Sequence, residues 1–198
     1  MVFVINVLLG RLTSPDLALA AFGVVHGLVS LLLSPLRNLV HTAQTLVRTL
    51  EDRLVIRQFT HHLIFAFGGL AAICFWTPIE HLILHHAMGL DPLLERYCAP
   101  AMKICFVMAI FWSYSALFRG LMAGARSTTM LAATGAARIA TATVIALAAL
   151  AFPSINGAVL GLVAWICGYA AESIALWLRL RGGVRMERPT KPVSRTRS

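Results

Sequence analysis

Charge is what this chain has least of. Only 13% of its 198 residues are Asp, Glu, Lys or Arg, about half the roughly 25% of ordinary soluble domains. A soluble protein of this length needs a polar skin, and the polar material to build one is missing. Hydrophobic residues make up 59%, against roughly 45–50% in soluble chains. The surplus apolar surface has to face lipid. In hydrocarbon the backbone must be satisfied within each segment, so the expected class is an all-α, polytopic membrane helical bundle.

Other absences narrow the chemistry. The four cysteines, Cys74, Cys98, Cys105 and Cys167, are scattered without a Cys-x-x-Cys spacing, which supports neither a zinc site nor a disulfide framework. Each reads as a small buried hydrophobe. The chain contains no G-x-S-x-G, H-E-x-x-H or G-x-x-x-x-G-K-[ST] motif, and no aspartate pair or Ser/His pair of an intramembrane protease is evident. The expectation is therefore no enzyme, no cofactor and no metal site.

What is present is a series of apolar runs. Five stretches, 17–36, 59–79, 98–118, 129–152 and 157–178, are long enough to cross a bilayer at about twenty residues each. The opening MVFVINVLLG is too short to span and lacks the basic leader of a signal peptide. It reads as the end of a truncated N-terminal helix. Residues 1–182 form the expected transmembrane bundle, and 183–198 a basic, disordered tail.

The formal net charge is +9, but its distribution argues against nucleic acid. Seven of the 17 Lys/Arg fall in residues 179–198. Arg37, Arg48, Arg53 and Arg57 lie between the first two spans, and Arg119 and Arg126 between the third and fourth. The opposite side carries Arg11, Arg96 and Lys103. That bias places the 37–58 and 119–128 loops and the tail in the cytoplasm of an integral plasma- or inner-membrane protein. The tail can also touch anionic headgroups.

Segment 39–54, LVHTAQTLVRTLEDRL, sets Leu39, Ala43, Leu46, Leu50 and Leu54 on one helical stripe. Either an interfacial amphipathic helix or an extension of the preceding span satisfies it. A second amphipathic piece, IEHLILHHAMGL, follows Thr77-Pro78. Three Gly-x-x-x-Gly pairs, Gly23/Gly27, Gly120/Gly124 and Gly157/Gly161, permit close helix approach.

Ionisable groups inside spans are costly and mark candidate sites. Arg138 lies roughly 15 Å along its helix from the cytoplasmic side, near the midplane, and Glu172 roughly 22 Å from the outer side on the next helix. The remaining offset of about 7 Å is within reach of an Arg side chain. Two readings stay open. The pair pins two helices together, or Arg138 lines a cavity for an anion that Glu172 holds or releases. Lys103, near the outer boundary, reaches headgroups or meets an anion leaving that cavity. His81 and His85 share a face, yet two ligands are too few for a tetrahedral metal site, so these and His86 read as wet interfacial residues. His26 reads as a helix-packing residue, and the four tryptophans as belt or packing residues.

The ordered succession FWTP, HHAMGLD, CAPAMKI, ALFRGLMAGARSTT, AARI, INGAVLG and GYAAES resembles the C-terminal half of progressive ankylosis proteins. These belong to the multidrug/oligosaccharidyl-lipid/polysaccharide exporter superfamily. The resemblance runs from about Val4 to Arg181. It implies one six-helix lobe of a two-lobed, alternating-access transporter exporting a small anion such as pyrophosphate, phosphate, nucleotide phosphates or citrate. It places Arg138 and Lys103 where the family carries cations, and Glu172 at its Gly-Glu. It also implies a partner: the missing N-terminal lobe, a second copy or a separate subunit. HTAQT, 41–45, departs from the family in lacking an acidic and basic pair. Competing expectations are a multidrug or lipid-linked oligosaccharide exporter lobe, and a non-transporting fragment or assembly partner.

The charge bias makes a direct prediction. A reporter fused after Ser198 will be active on the cytoplasmic side, and one inserted in the 80–97 segment on the outer side; the reverse pattern would overturn the orientation.

Overall fold

In the computed structural model, which describes residues 1–124, 128–149, 151 and 155–181, every regular element among the described residues is helical. The order is α1 (Val2–Leu9), α2 (Pro15–Leu33), a 3₁₀ turn (Ser34–Asn38), α3 (Leu39–Leu46), α4 (Leu50–Trp76), α5 (Ile79–His81), a π-helical turn (Leu82–Ala87), α6 (Pro92–Ile104), α7 (Phe106–Gly124), α8 (Thr128–Ala149) and α9 (Gly157–Arg181). Among the described residues, five stretches are long and apolar enough to cross a bilayer: Pro15–Leu46, Glu51–Trp76, Phe106–Gly124, Thr129–Ala148 and Gly157–Arg181. The all-α bundle with five candidate spans is as expected. The basic tail, 183–198, and Arg126 lie outside the described residues.

Burial orders the helices. In their apolar windows 56% of α9 and 50% of α7 is buried, against 17% for α4 and α8. α9 touches α1, α2, α6, α7 and α8 and is the axis of the bundle, while α4 and α8 form its perimeter. The short α1 packs against α2, α8 and α9.

Local chemistry sets the boundaries. Pro35 has no N–H to give the Leu31 carbonyl, so the α-helical ladder ends in a 3₁₀ turn, and the Ser34 hydroxyl donates to Leu31 O at 3.0 Å. The helix then resumes to Leu46, so residues 39–46 extend the preceding span. The expected single stripe over 39–54 does not persist. Val47 is extended, and Thr49 and Asp52 form a reciprocal capping box that starts α4 at Leu50. The span expected at 59–79 is therefore the apolar part of a longer helix, and 50–58 is helical instead of loop.

The expected span 98–118 is also displaced. α6 carries Pro100 inside it and ends at Ile104, a turn at Cys105 separates it from α7, and the spanning helix is 106–124. Arg119, assigned to a loop from its charge, sits within that helix. At the start of α9, Asn156 Oδ1 accepts from the amides of Ala158 and Val159 at 2.9 and 3.1 Å, an N-terminal cap. Its amide nitrogen donates to the Tyr97 carbonyl, tying α9 to α6.

The glycine pairs are not equivalent. A Cβ on Gly120 would lie 2.5 Å from the Val40 carbonyl oxygen and 2.6 Å from Ala43 Cβ, so α7 and α3 touch there. Gly157 meets Ala18, and Gly161 lies directly on the Phe22 ring, which locks α9 onto α2. A Cβ on Gly23, Gly27 or Gly124 would meet nothing from a neighbouring element within 4 Å. Gly120→Ala will therefore cost on the order of 1–3 kcal/mol or more through overpacking, with Gly23→Ala near neutral or stabilising. Melting in detergent checks this, and equal midpoints for the two variants would contradict the packing.

Candidate functional site

The side chain of Glu172 is wholly buried, 0% exposed, in the central helix α9. Its desolvation is offset from two neighbouring helices. Oε1 accepts from Arg119 Nε at 2.9 Å and Oε2 from Ser115 Oγ at 2.7 Å, both on α7. Oε2 also accepts from Arg138 Nη1 at 3.2 Å, reaching in from α8. Arg138 is 18% exposed and Arg119 33%. The anticipated contact between Arg138 and Glu172 is present, and Arg119 is a second cation that charge counting had assigned to topology.

Helical spacing explains how three helices converge. Ser115 and Arg119 are four residues apart and share a face of α7. Gly168 and Glu172 share a face of α9 in the same way. A Cβ on Gly168 would sit 3.0 Å from the Arg138 carbonyl oxygen and 3.2 Å from its Cγ. The bare glycine lets the α8 backbone come close enough for Arg138 to reach the carboxylate. The guanidinium then lies over the Tyr169 ring, 4.9 Å from its centroid, a cation–π contact that compensates for lost water.

Beside this cluster lies a cavity of about 1110 Å³, above the usual range of about 300–1,000 Å³ for ligand pockets. Arg37, Arg119 and Arg138 line it, with Ser115, His41 and Asn38; no carboxylate lines it among the described residues. Ser34, Pro35 and Arg37 belong to the 3₁₀ turn, so the Pro35 break is what turns this segment toward the cavity. Trp112, Trp165, Tyr169 and His26 line it with their rings packed together. Trp112 stacks on Tyr169 at 5.5 Å, and His26 lies 4.6 Å from Trp165.

Lys103 is elsewhere. It is exposed on the last turn of α6 and absent from the cavity lining. Its carbonyl accepts from Trp76 Nε1 at 2.7 Å, and its charge acts on Glu80. Burial pushes the Glu80 carboxyl above its ordinary range; Lys103 opposes that rise and Glu95 adds to it. His81 and His85 are stacked at 5.0 Å, and both Nδ1 atoms face the Glu95 carboxylate. Among the described residues no group of three or more His, Cys, Asp or Glu is arranged to hold a metal ion.

Sequence reasoning missed Arg37, Arg119, Trp112, Trp165 and Tyr169 as lining residues. A usable signal was present: Trp112, Ser115 and Arg119 form one stripe on α7, and Trp165, Tyr169 and Glu172 form one on α9. No family model, curated protein or solved structure matches the chain.

Neutralising Glu172 strands two partly buried cations, so Glu172→Gln will cost on the order of 3–5 kcal/mol. Adding Arg138→Gln will recover part of the loss, and adding Arg119→Gln as well will recover most of it. Thermal midpoints in detergent read the series; a Glu172→Gln variant as stable as wild type would refute the ion cluster.

Proposed function

We propose that the chain is one lobe of a membrane transporter that moves a small, multiply charged anion by alternating access, with pyrophosphate, phosphate, nucleotide phosphates and citrate as the substrate class. One observation carries the reading. Three guanidinium groups line the cavity, no carboxylate lines it among the described residues, and the single buried carboxylate at the cluster balances one of the three. The uncompensated charge is about +2; Arg138 is the most enclosed of the three at 18% exposed, Arg119 is 33% exposed, and Arg37 is exposed. Arginine also presents planar, paired donors that match phosphate and carboxylate oxygens.

The cavity reaches from the middle of the bundle toward the end that carries the 3₁₀ turn. Its lining comes from the start of α1, the C-terminal half of α2, the 3₁₀ turn, α3, the Trp112–Arg119 face of α7, Arg138 at the middle of α8, and Trp165 and Tyr169 of α9. By the positive-inside rule that end is cytoplasmic, so the anion enters from inside and leaves outward. Depth near the middle of a bundle is where transporters place their sites. The similarity to progressive ankylosis proteins noted in the sequence supports the same substrate class. The other wall of the path would come from a second bundle: an N-terminal lobe, a second copy or a separate subunit. Export of cationic drugs fits poorly, because the cavity wall repels them.

The test is flux. Proteoliposomes holding the protein with its partner bundle should release radiolabelled pyrophosphate or citrate, and Arg138→Ala should lower the rate by at least about tenfold, as expected when a charged partner is lost from a buried contact. Equal flux with and without the guanidinium would overturn the anion reading.

A further inference from the structure

The bonds to Glu172 are unequal, and the inequality identifies which cation can be exchanged. Arg119 and Ser115 satisfy one carboxylate oxygen each, at 2.9 and 2.7 Å, and both stand on α7, whose packing against α9 is extensive. Together they supply the carboxylate with a neutralising charge and a donor for each oxygen. Arg138 adds a third and longer bond, 3.2 Å, to an oxygen already served by Ser115. It comes from the perimeter helix α8, and its own Nε is buried without a hydrogen-bond partner among the described residues. Glu172 therefore loses little when Arg138 turns away. Arg138 has Glu172 as its one ionic partner among the described residues, so it can turn away only toward another anion.

Resting on the reading of the cavity as an anion site, we infer that Glu172 is a tethered competitor of the transported anion. The anion and the carboxylate exchange for Arg138, while Arg119 and Ser115 keep Glu172 neutralised and in place. An oxyanion with several acceptors satisfies both Nη1 and the unpartnered Nε of Arg138, which the single bond from Glu172 does not. When the anion leaves, the carboxylate retakes Arg138 and prevents the substrate from being held too tightly to release. The same exchange breaks the ion pair that links α8 to α9, so occupancy of the site and the position of α8 are coupled.

The experiment measures pyrophosphate affinity by calorimetry on the full-length protein in detergent. Glu172→Gln should bind pyrophosphate at least about tenfold more tightly, the scale of a removed charge competitor, and should export it more slowly. Glu172→Asp keeps the buried charge but withdraws it by one methylene, about 1.5 Å. It is the variant least disturbing to folding and should also bind more tightly, by a smaller factor. Arg119→Gln, which leaves the carboxylate dependent on Arg138, should weaken binding, and adding Glu172→Gln to it should restore affinity. If wild type binds pyrophosphate and both Glu172 variants bind it equally or more weakly, the competitor role is overturned while the anion site stands. If neither wild type nor any variant binds pyrophosphate or citrate, the anion reading falls and the competitor role with it.

Discussion

A carboxylate without solvent, in the middle of the most enclosed helix, is the constraint around which this bundle is organised. Leaving Glu172 ionised and unpaired there would cost several kcal/mol, so the fold has to deliver donors to both of its oxygens. They come from Ser115 and Arg119 on α7 and Arg138 on α8. Three helices are thereby held in one register by one side chain. Arg119 makes its contact from within α7, which runs on to Gly124. Gly168 completes the arrangement by removing the one side-chain atom that would hold α8 away.

The cavity follows from what surrounds that cluster. Pro35 interrupts the α2–α3 rod with a 3₁₀ turn, and Arg37 of that turn, though exposed, joins the cavity wall. Rings of Trp112, Trp165, Tyr169 and His26 line the space and pack against one another. Aromatic rings and three cations together form the wall that an entering anion meets, and the like charges sum in its field. Lys103, Glu80, Glu95, the stacked His81 and His85, and His86 set edge-on to both form a separate cluster where α5, the π-helical turn and α6 meet.

The Arg138–Glu172 pair was legible from residue spacing, and the two missed arginines share a cause. Arg138 and Glu172 stood out because each interrupts an apolar run, and counting rise per residue brought them within reach. Arg119 did not stand out. Hydropathy treats a charge at the end of an apolar run as a loop residue, and only a partner on another helix reveals that the helix continues. Arg37 was hidden in the same way behind a plausible topological role. The stripe over 39–54 was real as a periodicity, but Thr49 and Asp52 cap a new helix inside it. Periodicity does not register such a stop. Gly23/Gly27 and Gly157/Gly161 have the same pattern, yet only the second pair meets a neighbour.

Composition and apolar run length, read from the sequence alone, determined an all-helical bundle with five candidate spans, because runs of about twenty apolar residues cross lipid as helices that satisfy their own backbone. The sequence also determined that a cation and a carboxylate lie buried at similar depth. Tertiary structure decided which helices are interior, which glycines are contacts, and that two arginines and a serine share one carboxylate beside a cationic cavity. Those outcomes depend on distances between residues far apart in the chain. Only the packed arrangement of helices sets those distances, and neither local propensity nor hydropathy encodes them.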